Sequence, residues 1–169
     1  AGARGQVYAH YAQEHPEELR IIAVAEPKED RRALVCRTYG IPDDMAFSSW
    51  EKLLAYPQLA DAALICTLDD MHMEPTMTAL QQGYHVLLEK PMSNSETECR
   101  VIVEASEKAQ RVLSVCHVLR YTPFYMTVKH LIDTGQIGEV VSLTQIENVG
   151  YWHHAHSFVR GNWRSGKQT

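Results

Sequence analysis

The chain has 169 residues, 45% of them hydrophobic, and a formal net charge of −5. That hydrophobic content suffices for one complete core and part of a second. Because the chain has no basic excess and no polybasic cluster, we expect neither a nucleic-acid partner nor a charged membrane patch. No apolar run approaches the ~20 residues that a membrane span requires. These properties predict a soluble globular protein.

The cysteine pattern favours free thiols. Cys66 and Cys116 fall inside apolar runs, where an unpaired cysteine behaves as a small buried hydrophobic residue. There is no CxxC pair, and the remaining cysteines are Cys36 and Cys99. This spacing predicts reduced thiols in a reducing compartment, and hence a cytoplasmic protein.

Short apolar runs alternate with longer helical patterns up to about residue 120. Strands that are apolar on both faces are typical of a buried parallel sheet. Helices of this length between them predict right-handed βαβ crossovers and a doubly wound, Rossmann-type α/β fold. The predicted strands are 19–26, 62–67, 85–88 and 112–117, and the predicted helices are 3–14, 28–39, 49–56, 71–82 and 95–110.

Local signals predict the ends of three of these helices. Gly40 and Gly83 are placed to end two of them in the left-handed conformation. Ser95, with Glu98 three residues later, predicts a capping box at the start of the longest helix.

The pattern changes after Arg120. A helix over 123–134 is followed by a turn and then by a longer strand over 139–149, whose partial alternation is typical of a sheet solvated on one face. We therefore expect residues 1–120 to form a dinucleotide-binding domain and residues 121–169 to begin a second, α+β domain.

The first candidate site lies at the start of the chain. Gly2-Ala3-Arg4-Gly5 has the spacing of the second and third glycines of G-x-G-x-x-G. The second glycine lets the backbone approach a pyrophosphate, and the third permits close packing of the helix on the strand. The helix that follows directs its N-terminal amides at the anion.

An acidic residue supports the same interpretation. Glu26 ends a buried strand about 20 residues after the glycines, where the fingerprint requires an acid for the adenosine ribose hydroxyls. Its carboxylate would repel a 2′-phosphate, which favours NAD over NADP. Lys28, Arg31 and Arg32 lie close enough in sequence to leave NADP open.

The most specific constellation extends over one helix and the strand after it. His72 opens the helix, Gly83 follows it, and the strand 85–88 runs into Glu89-Lys90-Pro91. Here the chain resembles the Gfo/Idh/MocA (glucose–fructose oxidoreductase / inositol dehydrogenase) family, whose members carry Glu-Lys-Pro at the end of the fifth strand. The resemblance covers nearly the whole chain. It implies an NAD(P)-dependent oxidoreductase that transfers hydride between nicotinamide and a sugar, a polyol or a related hydroxyl or carbonyl compound.

The resemblance also implies residue roles. Lys90 would be the catalytic residue, hydrogen-bonding the substrate beside the nicotinamide, while Glu89 would hold the nicotinamide end. Pro91 would fix the turn, often through a cis bond. Thr67, Leu68 and His72 would line the cofactor rim; Leu68 departs from the proline usual in the family.

Two later segments carry further candidates. His117 and Arg120 would border the nicotinamide. Arg120 could contact the cofactor or the substrate, or equally pair with a structural carboxylate. Trp163 and Arg164 would contact the substrate from a loop, with ordinary loop packing as the alternative. His154 and His156 would share one face of a strand, but no third ligand follows at a recognisable spacing, so we expect no metal.

Two parts of such an enzyme are missing from the sequence. The family usually supplies a general base from a second-domain His, and no segment here fits that role. No strand precedes the glycine turn, and a sheet without that central strand would expose unpaired edges. We therefore expect part of a longer protein, inactive by itself, whose second domain forms a homo-oligomer (a dimer or tetramer).

Two other functions are compatible with parts of this pattern. The same fold can bind a dinucleotide as a non-catalytic sensor or regulator, but an intact Lys90 favours the enzyme. A Rossmann-type enzyme that binds an adenosylated methyl donor would have no use for Glu89-Lys90-Pro91.

Overall fold

The computed structural model describes residues 1–161 and divides the chain into two compact units. The first unit is Ala1–Val115, and the second begins at Cys116. Trp163 and Arg164 lie outside the described residues, so the prediction for them has no structural counterpart.

The first unit is built on parallel strands with helices between them. β1 (Val24–Ala25) pairs with β2 (Ala46–Phe47), and β4 (His85–Leu88) pairs with β3 (Ala62–Ile65) on one side and β5 (Leu113–Val115) on the other. Every pairing is parallel, which requires crossover connections. The Rossmann-type prediction is confirmed.

Helices connect these strands in the predicted order. The predicted bounds of the helices agree with the observed ones to within two residues at each end. The helices of the first unit are α1 (Ala3–Glu14), α2 (Glu29–Tyr39), α3 (Trp50–Leu54), α4 (Met73–Gln81) and α5 (Glu96–Ala109).

The core of the first unit joins α3 and α4 to β3 and β4. Leu80 and Leu88 are almost wholly buried there, and fully burying such a side chain contributes about 1.5–3 kcal/mol. Tyr84 is buried with them and accepts a hydrogen bond from the Leu59 N–H at 2.8 Å, so its hydroxyl is not left unsatisfied. This core fixes β4 and the turn that follows it.

The helix ends confirm two predictions and correct a third. Gly40 after α2 and Gly83 after α4 have φ of 65° and 93°, the left-handed region that glycine adopts without penalty. Ser95 Oγ accepts from the Glu98 N–H at 3.4 Å, as a capping residue does. The reciprocal half of the capping box is wrong, because the Glu98 carboxylate accepts a hydrogen bond from Ser93 instead.

Two strand predictions differ from the structure. The predicted strand 19–26 is reduced to the two residues of β1, which pair only with the two-residue β2. The predicted strand 139–149 is wrong: these residues have no regular secondary structure. Alternating hydrophobicity does not make a strand without a partner, and within residues 1–161 nothing pairs with this segment; Val141 is 93% exposed.

The second unit is helical where it is regular. α6 (Pro123–Asp133) begins with a proline at its first position, where no backbone donor is needed. α7 (Tyr151–His154) continues into a π-helical turn, Ala155–Val159, so His154 and His156 lie on helical turns and not on the predicted strand. Within residues 1–161, no helix has the length and apolar character needed to cross a membrane.

Candidate functional site

The residues with functional potential lie where strands of the first unit end. Glu26 follows β1, Thr67 follows β3 by two residues, and Glu89 and Lys90 follow β4. In open α/β sheets, ligands bind outside the carboxyl ends of the strands. The N-terminus of α1 reaches the same group of loops, as its contacts with Glu26 and Glu89 show.

The glycine turn adjoins Glu26. The Ala1 amino nitrogen is 3.1 Å from Glu26 Oε2, and the Lys28 N–H donates to Oε1 at 3.0 Å. The Arg32 guanidinium donates to the Glu26 carbonyl at 2.6 Å, which fixes the loop after β1. The turn and the acid, separated by more than twenty positions in the sequence, thus meet in the fold, as the fingerprint predicts.

Glu26 is held as a carboxylate although it is only 7% exposed. Burial alone would raise its pKa, because a low-dielectric environment disfavours the charged form. The hydrogen bond from the Lys28 N–H and the nearby Arg31 guanidinium act in the opposite direction, and the pKa lies below its ordinary value. An ionised acid at this position can accept hydrogen bonds from sugar hydroxyls.

Within residues 1–161, no contact requires glycine at position 2. Gly2 has φ −71° and ψ −174°, an extended conformation open to any residue. A Cβ built there would have Arg31 Nη1 as its nearest neighbour, at 3.9 Å. At Gly5 the nearest atom would be Cys66 Cβ at 3.7 Å, an ordinary van der Waals distance. The open space beside Gly2 fits the close approach of a pyrophosphate to the backbone.

The start of α1 also fits an anion. Its first turn carries no acidic residue, and no side chain caps it. The first N–H groups of a helix have no intrahelical partner, and they form an anion-binding position together with the helix dipole. The residues present therefore fit a dinucleotide, with Gly2, Ala3, Arg4 and Gly5 toward the phosphates and Glu26 toward the ribose.

Glu89 directly follows β4 and is 6% exposed. Its Oε1 accepts from the Tyr8 hydroxyl at 2.5 Å and lies 3.5 Å from Arg4 Nε. Its Oε2 accepts from the Lys90 N–H at 2.7 Å. Both carboxylate oxygens are therefore engaged within the protein, which is how a buried charge is tolerated.

The side chain of Lys90 is exposed, while the residue before it is buried. The Lys90–Pro91 peptide bond is cis, as the family resemblance predicts. The ammonium of Lys90 offers three donors on a flexible stem at the end of β4. This arrangement can place a positive charge beside a substrate oxygen.

His72 connects the loops that follow β3 and β4. It is 1% exposed, its Nδ1 lies 2.7 Å from the Pro91 carbonyl oxygen, and its Nε2 lies 3.3 Å from that of Thr67. Thr67 in turn donates to the Met71 carbonyl at 3.1 Å. Leu68 is partly exposed on this loop. The ring thus fixes the rim on which Thr67 and Leu68 lie.

The remaining candidates belong to the second unit. His117 and Arg120 are exposed at a 3₁₀ turn, Val118–Tyr121, in which the Arg120 N–H donates to the His117 carbonyl at 3.0 Å. Their assignment to the nicotinamide stays a prediction.

A comparison with known families matches residues 1–117 to the model of the Gfo/Idh/MocA oxidoreductases, described as an oxidoreductase family with an NAD-binding Rossmann fold. The chain belongs to the Gfo/Idh/MocA family. The resemblance noted in the sequence is confirmed, and with it the class of oxidoreductases that bind NAD through a Rossmann fold.

Individual relatives in this family act on different substrates. The inositol 2-dehydrogenase of Pseudomonas savastanoi pv. phaseolicola is 29% identical over 143 residues, 84% of this chain and 42% of that protein. The D-xylose 1-dehydrogenase (NADP(+)) of Hypocrea jecorina is 31% identical over 122 residues, 71% of this chain and 31% of that protein. The chain thus spans less than half the length of the curated relatives it matches.

The solved structures show the fold of the family. The WlbA dehydrogenase from Bordetella pertussis, in complex with NADH and UDP-GlcNAcA, aligns with a TM-score of 0.73 at 23% identity. The alignment covers 81% of this chain and 41% of that one.

The sequence did not predict one residue that contacts the candidate site. Tyr8 contacts Glu89 although 81 positions separate them, and no motif contains it. The available signal was helical spacing: Tyr8 comes four residues after Arg4, on the same face of α1.

Proposed function

We propose that this chain is the dinucleotide-binding part of an NAD(P)-dependent dehydrogenase or reductase. Its reaction transfers hydride between the nicotinamide and a sugar, a polyol or a related hydroxyl or carbonyl compound. The observation that carries the proposal is the position of Lys90, which is exposed at the end of β4. Its backbone N–H donates a hydrogen bond to the carboxylate of the buried Glu89, which also contacts α1. The names of the relatives support the substrate class.

When bound, the nicotinamide supplies the hydride acceptor or donor. The chain's own residues bind and orient: the backbone at Gly2 and Gly5 faces the pyrophosphate, and Glu26 faces the adenosine ribose. Lys90 donates a hydrogen bond to the substrate oxygen and stabilises the negative charge that develops there. Thr67 and Leu68 border the nicotinamide in this proposal.

The charge at Glu26 supports NAD as the preferred cofactor. A buried carboxylate with a lowered pKa stays ionised at neutral pH and repels a 2′-phosphate. The Arg32 guanidinium donates a hydrogen bond to the Glu26 carbonyl. Arg31 lies near Gly2 and would be the residue that contacts a 2′-phosphate. In this proposal the whole protein is a cytoplasmic homo-oligomer that acts on a small molecule.

Replacement of Lys90 tests the catalytic assignment. In the complete protein, Lys90→Ala should lower kcat on polyol or sugar substrates by roughly 10²–10³-fold, because one donor to the developing charge is lost. NAD affinity by calorimetry should change little. Steady-state turnover over a panel of polyols and sugars measures the first effect.

Lys108→Ala is the matched control, since that exposed lysine lies near the end of α5. Equal turnover in the two variants would contradict the role of Lys90. NAD binding with no turnover in the wild-type protein would favour a sensor of the same fold.

A further inference from the structure

We propose that Tyr8 is a positioning residue, which sets the place of Lys90 relative to the glycine turn through the carboxylate of Glu89. The inference rests on the proposed function for its catalytic meaning. The structural link that it describes is measurable in the protein without cofactor.

The link runs through the two oxygens of one carboxylate. Glu89 Oε1 accepts from the Tyr8 hydroxyl at 2.5 Å, and Oε2 accepts from the Lys90 N–H at 2.7 Å. Glu89 is 6% exposed, so water does not readily replace either donor. A hydrogen bond to a charged group in such surroundings is stronger than one between neutral groups.

The two ends of the link belong to different parts of the site. Tyr8 lies in α1, the helix that begins at the glycine turn, and Lys90 follows β4. Hydride transfer requires that a substrate held by Lys90 meet a cofactor held by α1, and small misplacements of this kind are costly in rate. A short bond from α1 to the residue before Lys90 therefore bears directly on that geometry.

The Arg4 side chain does not replace the hydrogen bond that the Tyr8 hydroxyl donates to Glu89. Its Nε lies 3.5 Å from Glu89 Oε1, and its side chain is 53% exposed. At that distance and exposure the contact is an ion pair screened by solvent, without the geometry of a hydrogen bond. Tyr8 therefore carries the directional part of the contact between α1 and Glu89.

Tyr8→Phe removes the hydroxyl and keeps the ring. Tyr11→Phe is a matched control on the same helix, because the Tyr11 hydroxyl also donates to a carboxylate at 2.5 Å, that of Glu18, and Tyr11 is 42% exposed. The first measurement is hydrogen exchange of the Lys90 amide in the cofactor-free complete protein. We expect about tenfold faster exchange in Tyr8→Phe, equivalent to ~1.4 kcal/mol of lost protection, and no change in Tyr11→Phe.

The second measurement separates positioning from general stability. In Tyr8→Phe we expect kcat to fall about tenfold while the KM for NAD changes less than threefold. Glu89→Gln should also lower kcat, and adding Tyr8→Phe to it should lower kcat little further, because both variants break the same link. Additive losses, or a Tyr8→Phe variant that matches Tyr11→Phe in both exchange and kcat, would overturn the inference.

The outcomes also separate this inference from the proposed function. If the wild-type protein binds no nucleotide, the proposed function fails, while the exchange of the Lys90 amide still tests the Tyr8 link. If Tyr8→Phe does not fold, Glu89→Gln serves for the exchange measurement, and an unchanged Lys90 amide in that variant would overturn the inference.

Discussion

Glu26 and Glu89 are the two buried acidic side chains of the site, and each contacts a different set of partners. Glu26 depends on the Lys28 N–H and nearby positive groups, whereas Glu89 depends on Tyr8, Arg4 and the Lys90 N–H. The sequence predicted that both belong to the site, since one ends a strand and the other lies in a motif. It did not predict Tyr8, because a contact across 81 positions depends on how α1 packs.

The lowered pKa of Glu26 predicts a pH-dependent contribution to stability. A carboxyl whose folded pKa is below its ordinary value of 4.5 stabilises the fold fully above that value, and this contribution is lost as the pH falls through the folded pKa. Glu26→Gln should therefore lower the free energy of unfolding by about 1–3 kcal/mol at neutral pH. The difference from wild type should shrink as the pH falls below the ordinary value.

Urea unfolding over a series of pH values measures this effect. Glu104→Gln, at an exposed position of α5, serves as the control and should show little difference at any pH. A Glu26→Gln variant whose loss of stability grows toward acid would contradict the assigned direction of the pKa.

At the scale of elements, the helices were predictable and the strands were less so. Helix ends follow local signals, as at Gly40 and Gly83, where a left-handed residue ends or follows the helix. A strand exists through its partner, so β1 is shorter than its apolar run and residues 139–149 form none. The capping box also depends on which partner is available, and it is half-formed because Ser93 competes for the Glu98 carboxylate.

The His72 ring connects the loop that follows β3 with the loop that follows β4. It contacts the Pro91 and Thr67 carbonyls, and His72→Ala would leave both without that partner. Because the ring is 1% exposed, we expect a loss of about 1–3 kcal/mol in the free energy of unfolding, with weaker NAD binding as the rim loosens. Denaturant unfolding and calorimetry measure the two effects.

Two further variants serve as comparisons in that experiment. His72→Asn keeps a short side-chain donor and should lose less stability, while His130→Ala, at an exposed position of α6, should change neither quantity. If His72→Ala behaves like His130→Ala, the ring does not hold the two loops.

At the scale of the whole molecule, the family match and the first compact unit cover nearly the same part of the chain. The match runs over residues 1–117, and the first unit ends at Val115. The sequence therefore predicts the dinucleotide part well, because its motifs are local and ordered. The relatives are more than twice as long as the stretch they share with this chain.

We propose that this chain binds a dinucleotide through the backbone at Gly2. The most direct measurement is calorimetry of NAD and NADP with the complete protein and its Gly2→Ala variant. In the part of the chain that the structure describes, the nearest atom to an added Cβ outside the neighbouring residues is 3.9 Å away, and the backbone is extended, so stability should be unchanged. Gly150→Ala is the control, because Gly150 is also extended and has open space around it. We expect wild type and Gly150→Ala to bind NAD more tightly than NADP, and we expect Gly2→Ala to lose NAD affinity at least about tenfold, ~1.4 kcal/mol. A wild-type protein that binds neither nucleotide, or a Gly2→Ala variant that binds NAD as well as wild type, would contradict it.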